Sequence, residues 1–157
     1  MTQINNKSPD VATFLDEVEF RDAALLSFVT SAIIVPTYDD IKREFGIIRA
    51  EYLLLLCLSH FSVLTAQDVS RLTGRPRNSI SRAVHRMLEE GYIKRAPDPA
   101  DGRRSKLTIA ASGLRLHKKV AAHMEMHQDN ILAPLSTTER KTLQKLLRKT
   151  AIHASQQ

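Results

Sequence analysis

Apolar residues in this 157-residue chain recur mostly three and four positions apart, the period of a helix. Between Val11 and Glu44 the residues Phe14, Leu15, Val18, Leu25, Leu26, Phe28, Val29, Ile33 and Ile34 make a broad apolar face. That predicts a helical segment with a kink or break at Pro36, closed by Gly46. Arg49 to His60 forms a second helix, apolar nearly all round through Tyr52–Leu58, as a central buried helix is. Thr65 to Asp68 has capping-box spacing and opens a short helix with Val69 and Leu72 inward, ended by Gly74. Pro76, a favoured first helical position, starts another helix that stops at Gly91. Extended runs at Tyr92–Arg95 and Ser105–Ile109 then flank Asp101-Gly102, which predicts a hairpin turning at that dipeptide. A long helix follows from Leu114 to Leu132, with Leu116, Val120, His123, Met124, His127 and Ile131 near one side, and Pro134 ends it. Ser136 and Glu139 repeat the capping-box spacing before a last helix with Leu143, Leu146, Leu147 and Ile152 inward.

Two short helices joined by a Gly-containing turn and followed by a hairpin make a winged helix-turn-helix. The expected fold class is therefore mainly α with a small β-hairpin wing. Within the second short helix, Ile80, Ala83, Val84, Met87 and Leu88 fall on one stripe and face the core. Asn78, Ser81, Arg82 and His85 fall at i, i+3, i+4 and i+7 on the opposite side, with no carboxylate until Glu89. An amide, a hydroxyl, a guanidinium and an imidazole can donate to phosphates and base edges in a major groove, where acids would be repelled.

Charge sharpens that picture. The net charge is +6, but residues 75–106 alone carry nine Lys/Arg against four Asp/Glu, and residues 1–74 carry six against ten. A local basic block points to nucleic acid more than to general solubility. The residues expected at double-stranded DNA are Arg75, Arg77, Asn78, Ser79, Ser81, Arg82, His85 and Arg86 on the reader helix and its approach, with Asp101, Arg103, Arg104 and Lys106 on the wing. The single cysteine rules out an internal disulfide, and the leucines around Cys57 predict a buried thiol. The N-terminus has no leader pattern, and the longest nearly apolar run, Ala23–Val35, is broken by Ser27, Thr30 and Ser31, so the expected location is the cytoplasm with no membrane partner.

The order of elements and the wing motif resemble the MarR family of winged helix-turn-helix regulators. Asp101-Gly102-Arg103-Arg104-Ser105-Lys106-Leu107-Thr108-Ile109, with Gly113 beyond, is similar to that family's wing, and Asn78-Ser79-Ile80-Ser81-Arg82 to its reader-helix core. Arg75-Pro76-Arg77 departs from the family's acidic or small polar cap, and Ala110 stands where the family often has Thr. The resemblance implies a homodimer, with residues 11–48 and 111–155 as N- and C-terminal dimerisation helices and residues 49–110 as the DNA-binding domain. It implies a repressor on a pseudo-palindromic operator, with reader helices about 34 Å apart in successive major grooves. Arg103 and Arg104 would reach a minor groove, one of them held by Asp101. It further implies release by a small effector, possible ligands being aromatic carboxylates, with Arg21, Arg49 and His60 as candidate ligand residues.

Other signals carry less. His123 and His127 have metal-ligand spacing, but His-Met-Glu-Met-His misplaces the glutamate of a zinc-protease motif and no further ligand completes a site. No phosphate-binding Gly loop, nucleophile motif or carboxylate pair is present, so neither an enzyme nor a metal or other cofactor is expected. The competing function is a winged-helix protein-interaction module, which would bind DNA weakly and without sequence preference.

Overall fold

The structure is a computed structural model and describes residues 10–99 and 101–156; for residues 101–104 the description is of the backbone alone. Its elements are α1 (Val11–Glu17), α2 (Arg21–Phe45), α3 (Arg49–His60), α4 (Ala66–Thr73), α5 (Arg77–Glu89), β1 (Ile93–Asp98), β2 (Asp101–Ile109), α6 (Ala111–Leu132) and α7 (Thr137–Ala154). Helices with one two-stranded antiparallel sheet make the expected mainly α architecture with a wing. Two compact units are present. One comprises Pro36–His127, and the other is drawn from the chain's two ends, up to Val35 and from Gln128.

The core of the Pro36–His127 unit is built on α3. Ala50, Tyr52, Leu54, Leu55, Cys57 and Leu58 are buried there, and Ile41, Ile47, Val69, Ile80, Ala83, Val84, Met87, Ile93, Leu107, Leu116 and Val120 join the same cluster. Burying a side chain such as Ile80 or Met87 contributes roughly 1.5–3 kcal/mol. Thr65 opens α4 as expected: its Oγ1 accepts from the Asp68 N–H at 3.2 Å and Asp68 accepts the Thr65 N–H at 3.0 Å. Gly74 ends α4 at φ +64°, a left-handed conformation that a Cβ would strain, and so sets up the turn into α5.

Several boundaries differ from the sequence expectations. The first helical segment breaks at residues 18–20, between α1 and α2, and α2 runs through Pro36, where it forgoes one backbone hydrogen bond. At 25 residues, α2 is long and apolar enough to cross a membrane by length and composition, which the shorter 23–35 run did not suggest. Its later part instead buries Thr37 and Ile41 in protein. The hairpin reverses between Asp98 and Asp101, so Asp101-Gly102 belongs to β2 and not to the turn. The register slips there, with Pro97 opposite Ser105 but Asp98 opposite Asp101. Leu64 adds an antiparallel bridge to Leu107 (N···O 3.1 and 2.7 Å), a third contribution to the wing that periodicity did not show.

Helix α6 starts at Ala111, earlier than expected, and Gly113 in its first turn lies against the Tyr92 carbonyl, where a Cβ would stand 2.1 Å from that oxygen. Ser112 Oγ donates to the Gly91 carbonyl at 2.7 Å, which ties the helix start to the end of the reader helix. Leu72, Leu146, Leu147 and Ile152, expected inward, are exposed, and neither α1 nor α7 has a buried residue.

Candidate nucleic-acid interface

Helix α5 separates its two faces as the spacing requires. Ile80, Ala83, Val84 and Met87 are buried, whereas Arg77, Asn78, Ser81, Arg82 and His85 are exposed. Ser79 is half-buried at the start of the helix, where its N–H lies 2.8 Å from the Asn78 side-chain oxygen. A polar depression of about 400 Å³, lined by Thr65, Gln67, Asp68, Ser70, Arg71 and Arg77, runs from the start of α4 to the start of α5. Arg71 is paired with Asp68 at 3.1 Å, and Arg77 stands at the rim.

Arg86 is a correction. Its Nη1 donates to both carboxylate oxygens of Glu51 at 3.0 Å, and its Nη2 donates to the Gly46 carbonyl at 2.7 Å. Glu51 is 3% exposed and also accepts the Ile48 N–H at 2.8 Å. Arg86 therefore neutralises a buried carboxylate and clamps α5 to the start of α3, apart from the exposed Arg77, Asn78, Ser81, Arg82 and His85. Glu51 and Gly46 were missed in the sequence, although a lone carboxylate within Arg49–Leu58 signals a charge that burial obliges to find a partner.

Arg75 also lies apart from the exposed face. It is half-buried, and its Nε is closed off from solvent without an acceptor. On the wing, Lys106 pairs with Asp98 at 3.2 Å, while Lys94 and Arg95 of β1 are exposed cations that the sequence reading left out. The side chains of Asp101, Arg103 and Arg104 lie outside the described ones, so the expected Asp–Arg support has no described geometry.

Of the candidate ligand residues, Arg49 and His60 stand at opposite ends of one helix. Arg21 belongs to the unit of chain ends and donates to the Asp16 carbonyl. Arg49 and His60 begin and end α3, about 16 Å apart along its axis. Between them runs a row of rings: Tyr38 and Tyr52 centroids lie 6.2 Å apart, Tyr52 and His117 stack at 6.0 Å, and His117 meets His60 edge-on at 6.3 Å. Burial pushes the Tyr38 and Tyr52 hydroxyls above their ordinary pKa. It also holds His117 below its usual value, with His60 adding to the effect. Cys57 is buried and its thiol is pushed up by that burial, the setting of an inert packing thiol. His123 and His127 each meet a carboxylate, Glu44 at 3.0 Å and Asp40 at 2.8 Å, and among the described residues no group of three or more ligating side chains is disposed to hold a metal. The hydrogen bond to His127, reinforced by Arg43, holds the Asp40 carboxyl below the usual range.

Comparisons with known proteins agree with this geometry. Residues 45–104, which span α3 to the wing, match the model of the MarR family. The chain is 26% identical over 132 residues to the HTH-type transcriptional regulator YxaD of Bacillus subtilis, covering 84% of this chain and 91% of that protein. Its fold is similar to that of the PcaV transcriptional regulator from Streptomyces coelicolor in complex with its natural ligand, at a TM-score of 0.67 and 25% identity over 94% of this chain and 99% of that one. It is also similar to a cysteine-to-serine mutant of MarR from E. coli complexed with operator DNA, at a TM-score of 0.71 and 16% identity over 90% and 99% of the two chains. With a reader helix and a wing inside the matching segment, the chain is similar over residues 45–104 to the MarR family of winged helix-turn-helix transcriptional regulators.

Proposed function

We infer that this protein is a cytoplasmic homodimeric repressor that reads a pseudo-palindromic operator and is released by a small effector. The observation that carries this reading is the exposed face of α5, free of acids until Glu89 at the helix end and backed by the buried Ile80, Ala83, Val84 and Met87. Arg77, Asn78, Ser81, Arg82 and His85 are the groove-facing donors, and Arg103 and Arg104 are the wing's minor-groove cations. The apolar side chains left exposed on α1, the turn after it, α2 and α7, Phe14, Phe20, Leu26, Phe28 and Leu146 among them, support cover by a second copy. Release follows if the effector favours a spacing of the reader helices that no longer fits the groove period. The operator complex of the MarR mutant and the ligand complex of PcaV support DNA and effector as partners.

The test is operator binding by fluorescence anisotropy across a salt series, on a duplex selected from a random pool by the wild-type protein. Replacing Arg82 and Arg103 together by Ala is expected to weaken binding by about 10²-fold or more, and to lower the salt slope by about one or two. Unchanged affinity and slope would remove these residues from the interface. Failure of the wild type to select any sequence would favour the interaction module.

A further inference from the structure

Helix α7 carries a second basic surface, outside the 75–106 block and in the unit drawn from the chain's ends. Residues 140–157 hold five Lys/Arg and no Asp/Glu. Lys141, Lys145 and Lys149 fall at i, i+4 and i+8, with Arg148 at i+7, so the four share one face of the helix. Leu143 and Leu147 lie on the opposite side.

All four cations are exposed, and among the described residues none of them forms a salt bridge. The acids nearest in sequence are engaged elsewhere: Glu139 closes the capping box with Ser136, and Asp129 accepts from Arg140. An exposed helix face is ordinarily steadied by acids placed four residues from bases. Here bases stand four residues from one another and repel, an arrangement that a polyanion relieves.

We propose that this face of α7 is a second nucleic-acid contact, in which Lys141, Lys145, Arg148 and Lys149 take the phosphodiester backbone of a duplex. Cations clustered along one helix face are the electrostatic footprint of nucleic acid. From Lys141 to Lys149 the helix rises about 12 Å, and over that length one strand of a duplex presents about three to four phosphates. A lipid surface would ask for aromatic or other bulky apolar side chains on the opposite face, and α7 has no aromatic residue. Phosphate contacts carry no base information, so this face holds a duplex of any sequence. Cover of the leucine side by a second copy leaves these cations open. The α7 contact goes beyond the operator reading above and does not require it, because it needs phosphates and no particular sequence.

The experiment uses the full chain and a labelled mixed-sequence duplex followed by fluorescence anisotropy. The wild type is compared with a variant carrying Lys141→Gln, Lys145→Gln, Arg148→Gln and Lys149→Gln, and with one carrying Lys141→Arg, Lys145→Arg and Lys149→Arg. All these positions are exposed, so both variants keep the wild-type helicity and Tm. With the α5 face saturated by the selected operator, the wild type is expected to take up the mixed-sequence duplex in addition, with a salt slope of about three to four. The Gln variant binds it at least about tenfold more weakly at low salt, and the Arg variant binds it as the wild type does. Equal uptake by the wild type and the Gln variant overturns the contact. So does a Gln variant that keeps duplex binding but loses phosphatidylserine vesicles, which makes the face a lipid surface. A Gln variant that keeps duplex binding but sediments more slowly gives the face to an acidic segment of a second copy and overturns it equally. A wild type that selects no operator sinks the regulatory reading alone, because the same variants are then compared on the mixed-sequence duplex without operator.

Discussion

Glu51 and Arg86 illustrate how one buried charge organises its surroundings. The carboxylate caps the start of α3 and receives the Arg86 guanidinium, which also reaches the Gly46 carbonyl at the end of α2. Removing Arg86 leaves Glu51 buried without its counter-charge, and breaking such a pair typically costs about 3–5 kcal/mol. The Arg86 side chain is itself 42% exposed, so the low end, about 3 kcal/mol, is expected for Arg86→Ala. Arg82, one turn away and exposed, is expected to shift stability by less than about 0.5 kcal/mol when replaced by Ala. Urea unfolding of the two variants at equal protein concentration separates the roles. Equal stabilities would return Arg86 to the groove-facing set.

At the level of elements, local chemistry sets most of the boundaries. The two capping boxes, Thr65 with Asp68 and Ser136 with Glu139, form as their spacing requires. Thr65→Ala is expected to cost about 1 kcal/mol in urea unfolding while leaving duplex affinity unchanged, since Thr65 caps α4 and is not among the donors proposed to face the groove. A loss of affinity at full folding would instead give its hydroxyl a DNA contact at the depression it lines. The second box carries a pH signature. Hydrogen bonds from Ser136 hold the Glu139 carboxyl below its ordinary 4.5, so its contribution is complete above that pH and is lost as pH falls through the depressed value.

These caps, the glycine stops and the two faces of α5 were legible in sequence because each depends on residues within a turn or two of one another. What was not legible depends on residues far apart in the chain. Arg86 meets Glu51 across 35 positions, Leu64 bridges to Leu107, and Gly113 lies against the Tyr92 carbonyl. The Asp101-Gly102 dipeptide misled for a related reason: the pairing of β1 with β2, and not turn propensity alone, decides where the hairpin reverses. Leu146 and Leu147 were expected inward because periodicity identifies an apolar face without saying what covers it.

For the whole molecule, that uncovered face and the charge distribution make one argument. The basic excess lies in residues 75–106 and in the C-terminal segment, while α1, the turn after it, α2 and α7 expose Phe14, Phe20, Leu26, Phe28, Leu146 and Ile152. On a lone chain a Leu146→Glu change is nearly neutral, because this leucine is already 56% exposed. In a dimer closed by these helices it buries an unpaired carboxylate at the interface. Sedimentation is therefore expected to give twice 17.7 kDa for the wild type and 17.7 kDa for Leu146→Glu, with helicity unchanged. Operator affinity would fall by about 10²–10⁴-fold although no DNA contact is altered, because two linked half-site contacts become independent. A wild type that sediments as a monomer at micromolar concentration would remove the second copy as the cover for these helices, and with it the pseudo-palindromic operator.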